Sequence, residues 1–193
     1  MRDKQWAAFF FGLGLDQVRE GFRAAIDGCD KRSDNARREY DAFLESHGTL
    51  EEDSSEHDRL VDISQSEWLS DNSRTVIREA FILSALHYWE RRMRAWTNCD
   101  LRGFERLERH SRKMGYPTDP RLKVVNTLCN LLKHENSFHA CELGKEWSDI
   151  FGELPRGTGD DVKWVLAIND RHVEEVFDIV SRSAPPHDES DQT

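Results

Sequence analysis

No apolar run in this 193-residue chain approaches the roughly 20 residues that a bilayer-spanning helix needs. A membrane-embedded helical protein is therefore not expected. The opening residues also lack the charged, apolar and small-residue regions of a secretory leader. Cysteine is scarce and unpaired in pattern: Cys29, Cys99, Cys129 and Cys141 contain no C-x-x-C spacing, which argues against ribbon-type zinc sites and thioredoxin-like redox chemistry. Cys129 falls inside an apolar helical run, where a thiol behaves as a small hydrophobe. All four are expected to be free, in a reducing, cytoplasmic setting. The chain also lacks a phosphate-binding G-x-x-x-x-G-K-[ST] loop, a G-x-G-x-x-G fingerprint, a G-x-S-x-G elbow and an H-E-x-x-H pair. His134, His139 and Cys141 match no common structural zinc spacing. Neither a metal nor a cofactor is expected.

What is present is charge, unevenly spread. The formal net charge is −10, which on average disfavours a general nucleic-acid binder. Residues 71–134, however, hold 13 Lys/Arg against 7 Asp/Glu, a local +6, and the remainder holds 14 against 30. A basic middle in an acidic envelope fits either ordinary solvated helix faces or a localised anion site. Six Trp and ten Phe supply large rigid packing area, so a mean hydropathy of −0.76 does not imply disorder.

Apolar spacing predicts a largely all-α chain, one helical domain over 1–183 with a core at about 74–151, a helical extension over 1–70 and a disordered acidic tail at 184–193. Helices are expected at 4–28, with a kink at Gly12–Leu13–Gly14, and at 33–46. The acidic run Glu51–Glu56 reads as an exposed connection, with Trp68 and Leu69 anchoring its far end. Asp71, Asn72 and Ser73 offer cap chemistry for a central helix at 74–97, whose run from Ala80 to Trp89 is apolar nearly all round. A helix at 101–114 turns Leu101, Phe104, Leu107 and Met114 inward and carries Arg102, Arg106, Arg109 and Lys113 as one basic stripe. Asp119–Pro120 opens a helix at 120–134, followed by one at 138–151. Val162–Ile168 is a strand or an extended segment, and Asp170 caps a last helix.

The helix at 120–134 holds the most informative pattern. Asn126, Asn130 and His134 recur every four residues on an apolar background, which makes one polar stripe. Buried amides and imidazoles need partners. The stripe is thus either a structural hydrogen-bond network or a site facing a groove or a second subunit. Glu90–Arg94 has the spacing of a helical ion pair. His87, Glu90, Arg91 and Arg94 lie near one face of the long helix and can complete a polar centre.

A long buried helix ending His87-Tyr-Trp-Glu90, followed by a helix ending Asn130-Leu-Leu-Lys133-His134, resembles the HEPN superfamily of helical bundles. Members commonly carry Arg-x4-6-His, often with a polar residue after the arginine. Asn130 and His134 match that motif, and Cys129 stands at the arginine position. The resemblance covers about residues 74–151. It implies a helical bundle with additional N- and C-terminal helices, working as a homodimer that cleaves RNA without metal in a bacterial defence or toxin–antitoxin setting. Under it, His134, Asn130 and Lys133 are the catalytic candidates, and Asn126 and Glu90 support them. Arg102, Arg106, Arg109 and Lys113 guide phosphate. Histidine moves protons near neutral pH and a cation stabilises charge developing on phosphate. Some members are inactive partners. The alternative is a non-catalytic subunit that binds a protein, such as a cognate antitoxin or defence-system component, and the missing arginine favours it.

Overall fold

A computed structural model of the chain describes residues 2–47, 55–134, 137–156 and 163–185. The described residues are mostly helical, with six α-helices and one two-stranded sheet, as the all-α reading expects. The helices are α1 (Arg2–His47), α2 (Ser55–Thr97), α3 (Phe104–Lys113), α4 (Leu122–His134), α5 (Ser137–Glu146) and α6 (Asp170–Arg182). A single 3₁₀ turn, Ser148–Ile150, leads from α5 into the sheet. Among the described residues, no helix is long and apolar enough to cross a membrane. The chain divides into two compact units, one of residues 1–20 and 78–193 and the other of residues 21–77.

In the unit of residues 21–77, the arms of α1 and α2 run antiparallel. Asp30 meets Arg74 at 2.7 Å, Arg37 meets Glu67 at 3.3 Å and Arg59 meets Glu39 at 3.5 Å. Ala36, Phe43 and Ile63 form its buried seam, with Tyr40 and Leu60 against them. Two expectations fail here. Helices 4–28 and 33–46 are one helix, because the polar stretch between them is helical: Cys29 is fully buried and Lys31 pairs with Asp27 one turn back at 2.6 Å. Asp71, Asn72 and Ser73 do not start a helix either. Ser73 donates to the Leu69 carbonyl at 2.7 Å and Asp71 pairs with Arg74, so both polar groups are satisfied inside α2. Trp68 and Leu69 are exposed mid-helix. Most of the acidic run, and the tail from residue 186, lie outside the described residues.

The unit of residues 1–20 and 78–193 holds the larger core. α2 contributes Ile82, Ala85, Leu86, Trp89 and Met93, α4 contributes Leu122, Val125, Leu128, Cys129 and Leu131, and α6 contributes Val173, Val176, Phe177, Ile179 and Val180. The Trp89 indole donates to the Ser183 carbonyl at 3.1 Å, tying α2 to the end of α6. Contrary to the all-round apolar reading, α2 keeps an open side at Ala80, Ser84, His87 and Arg91. Met114, expected inward, is exposed, and Leu101 precedes α3.

β1 (Phe151–Arg156) pairs antiparallel with β2 (Lys163–Leu166), with Phe151 opposite Leu166. β2 answers the open strand reading. β1 is masked in the sequence by Gly152 and Pro155, which a two-stranded edge tolerates. α6 is capped by Asn169, not Asp170. The Asn169 side chain accepts from the His172 backbone and His172 Nδ1 accepts from the Asn169 backbone, both at 3.2 Å. Asp170 instead pairs with Arg78 at 2.7 Å.

Gly14 is required where α1 meets Tyr88. The buried phenol donates to the Phe10 and Phe11 carbonyls at 3.2 and 3.1 Å, and a Cβ on Gly14 would lie 2.2 Å from its oxygen. Gly to Ala inside a helix normally stabilises by roughly 0.5–1 kcal/mol. Here overpacking of about 1–3 kcal/mol outweighs that. Gly14→Ala is expected to lower the urea midpoint, whereas Gly12→Ala, with open space around its Cβ position, is expected to raise it.

Candidate functional site

Successive residues of a helix are 100° apart. Taking Asn126 as zero, Asn130 lies at 40° and Lys133 at −20°, while His134 lies at 80°. The polar stripe of α4 is therefore Asn126, Asn130 and Lys133. Lys123, His134 and Thr127 follow the stripe on one side, and apolar side chains fill the rest of the arc and hold the helix in the core, with Leu128 and Val125 fully buried. Asn126 and Asn130 are half-buried and Lys133 is exposed.

The stripe opens into a cavity of about 510 Å³ lined by Glu90 of α2, by Arg102, Gly103, Phe104, Glu105 and Arg106, and by Asn126, Asn130 and Lys133 of α4. That volume falls within the roughly 300–1,000 Å³ usual for ligand sites. Gly103 builds one wall. Its φ of +86°, open to glycine and rare for other residues, turns the chain into α3, and its carbonyl accepts the Leu107 N–H at 3.2 Å. Phe104 is buried with its ring 5.6 Å from that of Trp89, which pins the start of α3 to α2. Arg102 and Arg106, on either side of this anchor, are both carried to the cavity. Among the described residues, neither arginine has an ion-pair partner, and neither Asn side chain makes a hydrogen bond to the protein.

Lys133 Nζ lies 3.3 Å from His87 Nε2. Glu90 pairs with Arg94 at 3.5 Å, as the i,i+4 spacing expects, and its side chain is 18% exposed. The Arg94 guanidinium also donates to the Leu101 carbonyl at 3.2 Å, so Arg94 is largely committed to holding the chain before α3. Three cations and two neutral amides therefore surround one small space together with two carboxylates, Glu90, which has its own cation, and the exposed Glu105. Such a site suits an anion with several acceptor oxygens.

Not every candidate converges. His134 is exposed, outside the lining, and no hydrogen bond joins it to Asn126 among the described residues, so Asn126 does not orient it. Arg109 and Lys113 are exposed on α3 beyond the cavity. The basic stripe breaks because Arg102 lies before the helix and only Arg106, Arg109 and Lys113 follow its repeat. Cys129 is 1% exposed, with its thiol 3.9 Å from the Ile82 carbonyl. Burial pushes that thiol up to about 12, despite Lys133 nearby. The position corresponding to the motif arginine thus faces the core, one step round the helix from the cavity. His87, which touches Lys133, carried little weight in the sequence. The sequence places it with Glu90, Arg91 and Arg94 in one polar centre and gives no sign of its contact with Lys133 on α4. Among the described residues, no three His, Cys, Asp or Glu side chains are grouped to hold a metal ion, and all four cysteines are free.

No family model, curated protein or solved structure matches the chain.

Proposed function

We propose that the chain is an RNA-acting, HEPN-like protein that grips a backbone phosphate in the cavity between α3 and α4. The observation that carries this reading is the convergence of Arg102, Arg106 and Lys133 with Asn126 and Asn130 on one opening, in a chain that is otherwise strongly acidic. An acidic protein does not hold RNA through bulk charge. It needs a local cluster, and phosphate contacts by such a cluster position a strand without reading its sequence.

Cleavage is the second step of the proposal, and it rests on His134. In this reading a second copy of the chain brings that exposed histidine to the bound strand, as the homodimer of the resembling family does. The experiment is fluorescence anisotropy of a labelled 12-nucleotide RNA together with gel analysis of the same RNA in EDTA. Lys133→Ala is expected to weaken binding about three- to tenfold, the range of a single solvent-exposed hydrogen bond. His134→Ala is expected to leave binding intact and to lower any cleavage by about 10²–10⁴. Wild-type protein that binds but never cleaves would reduce the reading to an RNA-binding relative without nuclease activity. Protein that does not bind would remove it.

A different surface supports the protein-interaction alternative. Trp6, Phe9, Phe10 and Leu13 share one face of α1 and are about half exposed, with the three rings packed on one another. An exposed apolar stripe of this kind is typical of a contact surface for another protein. It can coexist with the anion cavity.

A further inference from the structure

The phosphate cavity does not stand alone. A second cavity of about 630 Å³, lined by Ser84, His87, Arg91 and Arg94 among others, shares Glu90 with it. The His87–Lys133 contact joins the two at the same place, since one partner lines each cavity. The cation of the second cavity without an acidic partner among the described residues is Arg91, exposed and lying over the Tyr88 ring at 5.7 Å. Along the seam the first cavity, with three cations and Glu105, is followed by the shared Glu90 and then by Arg91.

Resting on the RNA reading, we propose that the two cavities take successive phosphates of one strand and that Glu90, between them, accepts a hydrogen bond from the ribose 2′-hydroxyl. A phosphate cannot sit on Glu90, because like charges repel. What lies between two phosphates in RNA is a ribose, and its 2′-hydroxyl is a donor that a carboxylate can accept. A carboxylate offers about four acceptor positions over two oxygens. The Arg94 contact uses one oxygen, Oε2, and leaves Oε1 for the sugar. The 2′-hydroxyl is also the group by which a protein distinguishes RNA from DNA at a given position. Glu90 is thus a specificity residue, and Arg91 is the second phosphate contact.

The test uses hexamers of uridine, of deoxyuridine and of 2′-O-methyluridine, which differ only at the 2′ position. Binding is measured by anisotropy at one salt concentration. Wild-type protein is expected to bind the ribose hexamer about tenfold more tightly than the deoxy hexamer, the effect of one hydrogen bond to a charged acceptor. The 2′-O-methyl hexamer, which cannot donate, should bind like the deoxy one. Glu90→Ala should bring the ribose-to-deoxy ratio to about one without weakening the deoxy hexamer. Arg91→Ala should weaken both and preserve the ratio. If Glu90→Ala fails to fold, the 2′-O-methyl comparison on wild-type protein still decides. Equal binding of all three hexamers by wild-type protein overturns the inference and leaves the phosphate cavity standing. A ratio that survives in Glu90→Ala also overturns it. Binding of none of the three overturns the RNA reading itself.

Discussion

Cys129→Arg, the substitution that writes the missing arginine back into Arg-x4-6-His, is expected to destabilise the chain by about 3–5 kcal/mol, the scale of an uncompensated buried charge. Cys129 is 1% exposed, its thiol faces the Ile82 backbone, and Leu122 and Val125 are buried on the same side of α4. A guanidinium there loses its hydration and displaces core side chains. Glu90 lies close enough to Cys129 to influence its thiol, but it is already paired with Arg94. Against a typical total stability of 5–15 kcal/mol, the loss is large. A chain of this length should melt roughly 10 °C lower or more. Differential scanning calorimetry reads this directly. A variant that keeps its melting temperature and gains RNA cleavage would mean that the arginine escapes to the cavity and restores the motif. Cys129→Ala is the control, and it should cost only about 1–2 kcal/mol for the lost thiol volume.

The second large effect is electrostatic. Three cations around one cavity imply a steep salt dependence, because each phosphate contact releases condensed counterions. For a single strand the slope of log affinity against log salt is about −0.7 per phosphate neutralised, so the two successive phosphates give a slope near −1.4. Affinity should then fall about sevenfold between 50 and 200 mM salt. Replacing Arg102 and Arg106 together should leave a slope near −0.7 and remove most of the affinity at low salt. Arg109→Ala and Lys113→Ala should matter much less, since both residues lie outside the lining. Before the structure, all four were equivalent members of one stripe.

That contrast marks how far the sequence could be read. Short amphipathic elements were legible because their apolar spacing is unambiguous: α3 and α4 lie within a few residues of expectation. The long helices were not, because Asp30–Ser33 and Asp71–Ser73 look like breaks in composition. In the structure, ion pairs and back-bonded serine satisfy those polar groups within the helix. β1 was hidden by Gly152 and Pro155. Of the site, Asn126, Asn130, Lys133, Glu90, Arg102 and Arg106 were all legible, from the spacing or from the family resemblance. Their grouping was not. The period-four reading joined Asn126 and Asn130 to His134, whereas an i, i+4, i+7 face joins them to Lys133 and turns His134 away. The contact of His87 with Lys133 became visible only when α4 was laid against α2, since nothing in the local sequence links two residues 46 apart.

The most direct test of the central claim, that this cavity is where an acidic chain holds RNA, is the salt slope of RNA binding in wild-type protein and in the Arg102→Ala/Arg106→Ala variant. The account predicts a slope near −1.4 that falls to about −0.7 in the variant, with the folded state unchanged by circular dichroism. An identical slope in both proteins would contradict it, because the phosphates would then be held somewhere else.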